Sequence, residues 1–459
     1  MEHIHFIGIG GTGLSAIAKV LLEEGYVVSG SDLTLSSLSG AVEEAGGKVY
    51  PGHQAENIRG ASIVVRSSAV PEENVEVQAA LKAGIPVLKR AEFLHHLLEG
   101  KEVTAVAGSH GKTTTTSMIA WILSALDKDP SFIVGGVVAN LETNAKAGQG
   151  SDFVIEADEY DYMFLGINPS RAVITNVEHD HPDLFPTEEI FRDAFRSFVN
   201  KLQPEGTLFL CGEDPGAMQL QKELKPNQRL VVYGFQAPNR DYIARNLETN
   251  KNGGINFEAV AGSDQDAEPV QISLQMPGKH NVLNALAAFA VADHMGLSGN
   301  GTARALTEFK GSERRFDIRG EYQGILLIDD YAHHPTEIDA TLSAARDAYP
   351  DRRIWAIWQP HTYSRTQTLF SGFIEAFSKA DRVVVLDVFA SREEKPEDFS
   401  TADLVQGINH SDVLYIPERK KAVDFLQKEL RAGDLLLLFT AGDAIEINVQ
   451  LEQVLSDQG

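Results

Sequence analysis

An α/β chain of three domains is predicted from three observations: its length, apolar strand runs that alternate with helical segments, and two glycine-rich loops that each lie between a strand and a helix. The 459 residues exceed the ~250–300 at which a single core stops growing. With 43% hydrophobic residues there is material for several cores. Composition and pattern place the units at residues 1–98, 99–316 and 317–459.

The first unit opens with strand Ile4–Ile7, glycine loop Gly8–Gly13, helix Leu14–Glu24 and strand Val27–Gly30, followed by Ser31-Asp32. This is a βαβ opening with the GxGxxG spacing of Gly8, Gly10 and Gly13. Gly10, Gly11, Thr12 and Gly13 are candidates to bring a pyrophosphate onto the helix N-terminus. Asp32, about 20 residues beyond Gly13, is placed to accept from ribose hydroxyls. NAD fits this chemistry, as does any nucleoside diphosphate with an accessible diol, a UDP-sugar included, and so does a tight turn with no ligand. Strand Ala61–Arg66 then presents Ser67-Ser68 as further donors, and helix Val75–Lys82 leads to strand Ile85–Leu88.

In the second unit, strand Thr104–Ala107 runs into Gly108-Ser109-His110-Gly111-Lys112-Thr113-Thr114, and helix Thr114–Leu126 follows. Position 106 is Val, so the strict GxxxxGK[ST] pattern fails and the match is to a shorter GxxGK[ST]T loop. Such a loop exposes successive backbone N–H groups to a polyphosphate, Lys112 reaches the β/γ-phosphates, and the Thr113 hydroxyl serves as a Mg²⁺ ligand. ATP is the expected guest, and the alternative is a glycine-rich turn with a solvated lysine. Strands Phe153–Ile155, Ala172–Ile174, Leu208–Leu210 and Leu230–Tyr233, with helix Glu188–Val199, suggest a mainly parallel sheet. The polar stretch Ala237–Pro269 reads as short strands and loops.

Glu156-Ala-Asp158-Glu159-Tyr-Asp161 puts four carboxylates in six residues at a strand end. Either the loop is simply solvated or Mg²⁺ relieves the repulsion, with Glu159 the preferred ligand. Thr175–Asp183 carries His179 and His181 among acids; zinc, plain hydrogen-bonded loop histidines and a second Mg²⁺ on His181 are the readings, the last favoured. His280 and Asn281 at the start of helix Val282–Ala292 suit a nucleotide contact or a helix cap.

The third unit begins around Phe316–Gly320. Its strands Ile325–Ile328, Ile354–Trp358, Val383–Leu386, Val413–Tyr415 and Leu435–Phe439 alternate with helices such as Pro335–Ala348 and Thr368–Phe377, which suggests a sheet covered on both faces.

Charge narrows the partners. Sixty-five acidic against 40 basic side chains give −25, a field that repels nucleic acid and anionic membranes while leaving room for a local nucleotide pocket. No stretch approaches 18 uncharged apolar residues, so membrane insertion is not expected, and Met1-Glu-His starts a strand without a basic leader. A cytoplasmic protein is the expectation. Cys211 is the single cysteine, which excludes an intrachain disulfide and a cysteine zinc cluster.

Nine motifs in order resemble the bacterial Mur ligases, in particular the branch that adds alanine. They are HFIGIGGTG at His5–Gly13, GSHGKTTTT at Gly108–Thr116, EADEYD at Glu156–Asp161, TNVEHDHPD at Thr175–Asp183 and PGKHNVLNALAA at Pro277–Ala288, then SERRFD at Ser312–Asp317, DDYAHHPTEI at Asp329–Ile338, QPHTYSRT at Gln359–Thr366 and AGDA at Ala441–Ala444. The resemblance implies a Rossmann-like first domain for UDP-N-acetylmuramate, a P-loop ATPase-like central domain, and a Rossmann-like C-terminal domain for the amino acid. It implies ATP-dependent joining of L-alanine to the lactyl carboxylate through an acyl phosphate, in peptidoglycan precursor synthesis, by a monomer or weak homodimer.

Residue roles carried by the resemblance are Lys112 for phosphate, Thr113 and Glu159 for Mg²⁺, His181 for a second Mg²⁺, and Asn281 for adenine. Arg315 matches an interdomain arginine that reaches the nucleotide phosphates, Asp330 a ribose contact, and Tyr331, His333 and Arg365 residues around alanine and the acyl intermediate, with His333 a candidate base. Thr362 stands where some members carry Arg, which leaves Arg365 to hold the amino acid carboxylate alone. Lys201 is poorly placed for the carbamylated lysine of other branches. The rival readings are a ligase that reattaches recycled murein tripeptide, an NAD-dependent dehydrogenase and a non-catalytic nucleotide sensor.

Overall fold

The computed structural model describes residues 2–235, 240–262, 268–391 and 393–457. They form three sheets. The first has five parallel strands in the order Lys48–Pro51, Val27–Asp32, His3–Ile7, Ile63–Arg66 and Val87–Lys89. Strand order reverses beside His3–Ile7, and the glycine loop leaves that strand at its carboxyl end, where open α/β sheets leave a crevice. The helix begins at Thr12, two residues before the apolar pattern does, because the loop glycines hand over to the helix without a side-chain cap.

The second sheet has ten strands. Arg171–Ile174, Glu102–Ala107 and Asp152–Glu156 lie side by side and parallel at its centre, and the two edges are antiparallel. Within the polar stretch expected to hold only short strands and loops, Tyr242–Thr249 and Ile255–Ala261 pair antiparallel over most of their length. These strands are longer than the expectation because alternation buries Tyr242, Ala244, Phe257 and Ala259 on one face. Of the same stretch, 237–239 and 263–267 lie outside the described residues.

The third sheet runs Asp317–Tyr322, Ile325–Asp330, Asp434–Phe439, Arg353–Trp358, Arg382–Val385 and Val413–Tyr415, parallel except for the first pair. The expected helix Thr368–Phe377 is replaced by two short helices, Tyr363–Thr368 and Phe370–Phe373. The earlier start has a cause in the Glu393 carboxylate, which accepts from the Tyr363 and Ser364 N–H groups (2.6 and 2.9 Å) and so satisfies donors that a helix start leaves open.

One continuous apolar cluster joins the first sheet to the second, holding Phe93, Leu94 and Leu97 together with Phe164, Phe195 and Phe198. At this seam Gly166 approaches the carbonyl of Ala91 so closely that a Cβ would stand 1.9 Å from it. No helix among the described residues is long and apolar enough to cross a membrane.

Candidate active site

Because strands Arg171–Ile174, Glu102–Ala107 and Asp152–Glu156 are adjacent and parallel, the loops that follow them meet at one edge. The phosphate loop lies between the other two. Gly108 (φ 141°) and Gly111 (φ 79°) take conformations that side chains disfavour, and a Cβ on Gly108 would stand 2.0 Å from Thr175 Oγ1. Asn176 Oδ1 accepts from the His110 N–H (2.9 Å), and the Ser109 hydroxyl donates to the Glu178 carbonyl (2.6 Å).

Lys112 opens the helix Lys112–Ala125, and its ammonium folds back over the loop, donating to the carbonyls of Gly108 (2.5 Å) and Ser109 (3.1 Å) and pairing with Glu159 (3.0 Å). Burial opposes its charge, yet Glu159, Asp158 and Glu156 outweigh this and raise its pKa. Thr113 donates to Glu156 (2.9 Å), whose other oxygen accepts from Gly135 N–H (2.6 Å). Thr114 is buried beside it.

The acidic cluster therefore divides. Glu159 is fully buried between Lys112 and His181, whose Nε2 is 3.4 Å away, whereas Thr113 turns to Glu156, a carboxylate to which the sequence reading gave no separate role. Thr113 and Glu159, expected to share one Mg²⁺, thus take different partners, and His181, expected on a second, pairs with Glu159. Burial pushes the Glu156 carboxyl up against the pull of Lys112; for Glu159, Lys112 and His181 outweigh burial and hold it down. Buried carboxylate oxygens and a threonine hydroxyl around a phosphate loop are the hard donors that Mg²⁺ takes.

A cavity opens between this loop and the C-terminal sheet, lined by Gly111, Thr114, Asn281, Asn284, Arg315 and Asp330 among others. The Asn281 amide donates to the Pro277 carbonyl (2.7 Å) and accepts from Asn284 (3.2 Å), which fixes its orientation. His280 also lines the cavity, kept neutral by burial, with its pKa lowered to about 4. Asp330 accepts from the N–H groups of Phe316 (2.9 Å) and Ala332 (2.7 Å), and burial lifts its pKa to about 6. The Arg315 guanidinium sits 5.0 Å from the Tyr331 ring and 3.8 Å from Glu337.

Arg365 of the C-terminal domain is buried and engaged at every nitrogen. Nε donates to Asp180 (2.8 Å), Nη1 to His361 Nδ1 (2.9 Å) and Nη2 to His181 Nδ1 (3.1 Å). Three of its five N–H groups are committed in this way and tie the C-terminal domain to the His181 loop, while one N–H on each Nη remains for the amino acid carboxylate. His333 donates from Nδ1 to the Tyr331 carbonyl (2.9 Å), which leaves the Nε2 lone pair free, and burial with Arg365 nearby holds its pKa well below the usual range.

Sequence reasoning missed a second link between these domains. His110 Nε2 lies 3.0 Å from Glu178 and Nδ1 3.2 Å from Glu337, while the Thr336 hydroxyl donates to Glu178 (2.8 Å). Burial opposes protonation of His110, but the two carboxylates raise its pKa to about 10. The available signal was the spacing His334-x-x-Glu337, a capping box that turns Glu337 back toward the loop.

In the first domain the glycine loop is tied down from within. Gly8 and Ile9 donate to the Ser31 carbonyl, Gly11 to Gly8, and Gly10 to the Asp32 carboxylate (2.9 Å). Asp32 thus faces the loop, its other oxygen accepting from Thr34 (3.3 Å). The N–H groups of Thr12 and Gly13 begin the helix and stay open to a ligand. Ser67 packs against Gly8, and Ser68 is exposed in the adjoining turn.

Comparison with known proteins gives three consecutive matches: the Mur ligase family catalytic domain over residues 3–102, the Mur ligase middle domain over 106–292, and the Mur ligase glutamate ligase domain over 314–442. The UDP-N-acetylmuramate–L-alanine ligase of Syntrophomonas wolfei is 41% identical over 99% of this chain and 97% of its own length. The ligase of the same name from Desulforamulus reducens is 42% identical over 100% and 98%. The crystal structure of UDP-N-acetylmuramate-alanine ligase from Thermotoga maritima superposes with a TM-score of 0.83 at 27% identity, covering 100% of both chains.

Proposed function

Since the chain belongs to the Mur ligase family, we propose that it joins L-alanine to the lactyl carboxylate of UDP-N-acetylmuramate, converting ATP to ADP and phosphate, as a cytoplasmic step in peptidoglycan precursor synthesis. Residues 1–98 hold the UDP-sugar, 99–316 the ATP and 317–459 the amino acid. The observation that carries the reading is the cavity between the Lys112 loop and the Arg315–Asp330 edge of the C-terminal domain, one of whose lining residues, Glu337, lies 3.7 Å from His333.

Amide formation from a carboxylate in water needs a leaving group. A lactyl oxygen attacks the γ-phosphorus, the bond to the β-phosphate oxygen breaks, and ADP departs. The alanine nitrogen then attacks the acyl carbon, and inorganic phosphate leaves from the tetrahedral intermediate. Lys112 and Arg315 stabilise the charge on the phosphoryl oxygens as it moves, the largest contribution such a site makes. Thr113 with Glu156, and Glu159 with His181, would hold Mg²⁺, which would further neutralise the phosphates. His333, neutral and with a free Nε2 lone pair, accepts the proton from the alanine ammonium. Asn281 and His280 orient the base of ATP, and Asp330 its ribose.

Omission of each substrate in turn tests this. ADP release is expected only when UDP-N-acetylmuramate, L-alanine, ATP and Mg²⁺ are all present. Full turnover with murein tripeptide in place of alanine, and none with alanine, would instead assign the recycling reaction.

A further inference from the structure

The third glycine of a GxGxxG loop ordinarily allows close packing of helix on strand. Here the space above Gly13 is filled by a side chain. Arg90, the first residue of the helix Arg90–Leu97, lays its guanidinium on Gly13 so closely that Nη1 would stand 2.2 Å from a Cβ at that position. A cation is thereby seated at the positive end of the helix Thr12–Glu23, whose first turn has no acidic residue. Two positive features in contact repel one another, and an anion between them relieves the repulsion. The partner Arg90 has in this structure is Asp158 of the central domain, 3.4 Å from Nη2 and one residue before Glu159. Both side chains are partly open to solvent, at 24% and 35%, so exchange of partners requires no unfolding.

Resting on the UDP-sugar reading above, we propose that Arg90 is a diphosphate-binding residue and couples the two nucleotide sites: it leaves Asp158 for the diphosphate of the UDP-sugar at the Thr12–Gly13 N–H groups. The fork of a guanidinium matches two phosphate oxygens. Release of Asp158 returns a negative charge to the acidic loop, where its field already acts on Lys112. UDP-sugar binding therefore raises the affinity of the central domain for Mg²⁺, and by linkage Mg²⁺ raises that for the UDP-sugar. Gly13 and Arg90 are a matched pair, and the tight seam at Ala91 and Gly166 fixes the arginine relative to both domains.

Titration calorimetry of the full chain with UDP-N-acetylmuramate, and separately with UDP and with uridine, tests the proposal. Arg90→Ala is expected to weaken UDP-N-acetylmuramate and UDP by the same factor, about 10- to 150-fold for loss of a charge-assisted contact, and to leave uridine unchanged. Arg90→Lys should lie between, and Gly13→Ala should weaken binding with Arg90 intact. Asp158→Asn should tighten the UDP-sugar about two- to fivefold, the worth of a competing exposed ion pair, and abolish its dependence on Mg²⁺. Diphosphate binding within threefold of the parent in Arg90→Ala, or weakening in Asp158→Asn equal to that in Arg90→Ala, overturns the proposal. A parent chain that binds neither UDP-N-acetylmuramate nor UDP overturns the substrate reading instead.

Discussion

Arg365 shows how far a single residue could be read. Its place in the QPHTYSRT motif marked it as part of the site, but its partners, His181 and Asp180, lie far away in sequence, and no local pattern encodes that meeting. Lys112 was legible because strand, glycine turn and helix are one local unit; Glu156 was not separable from Glu159 because four neighbouring carboxylates look alike until the backbone aims them. As a tie between domains that keeps an N–H on each Nη for the amino acid carboxylate, Arg365 predicts a particular kinetic pattern. Arg365→Ala should lower kcat about 100-fold or more, as loss of positioned groups in a polar site does, and raise the KM for L-alanine as well. It should also destabilise the fold by ~3–5 kcal/mol, since Asp180 is left buried without its partner. Steady-state titration of alanine decides the matter: a raised KM with unchanged kcat would make this arginine a carboxylate holder and no tie.

At the scale of elements, the central strands and their helices follow from apolar runs bounded by glycine and polar residues, and they stand close to where the patterns put them. Helix Ser37–Glu44 and strand Lys48–Pro51 escaped because their apolar content is low, although the Ser36–Ser39 capping box was in the sequence. The broken helix at Tyr363–Phe373 depends on Glu393 from a distant loop, which no helical period reports. Helix Pro335–Ala348 carries the most informative contact, because its start docks on His110 of the phosphate loop. The folded pKa of His110, about 10, stands above its ordinary value near 6.5, so the pair's contribution is fully present below that lower value and is lost as pH rises through about 10. His110→Asn should therefore cost stability at pH 6, and the gap in melting temperature between variant and parent should narrow steadily from pH 7 to pH 10. A gap that stays constant over that range would show that His110 is not held as a cation.

For the whole molecule, the fold closes the central and C-terminal domains on each other across one cavity lined in part by His110 and Glu337, and the Arg365–Asp180 contact joins the same two domains. Such closure keeps water from an acyl phosphate, which would otherwise hydrolyse before the amine arrives. The domain order and the loop chemistry were readable in advance; the interdomain contacts were not, since they depend on the packing of units that each fold on their own pattern. The central chemical step is transfer of the γ-phosphoryl group to the lactyl carboxylate before the amide forms. Turnover of UDP-N-acetylmuramate labelled with ¹⁸O in the lactyl carboxylate, read by mass spectrometry of both products, tests it most directly. The alanyl amide is expected with one label lost and inorganic phosphate carrying that label; amide without labelled phosphate, or labelled substrate returned unchanged while ATP is consumed, would contradict this step.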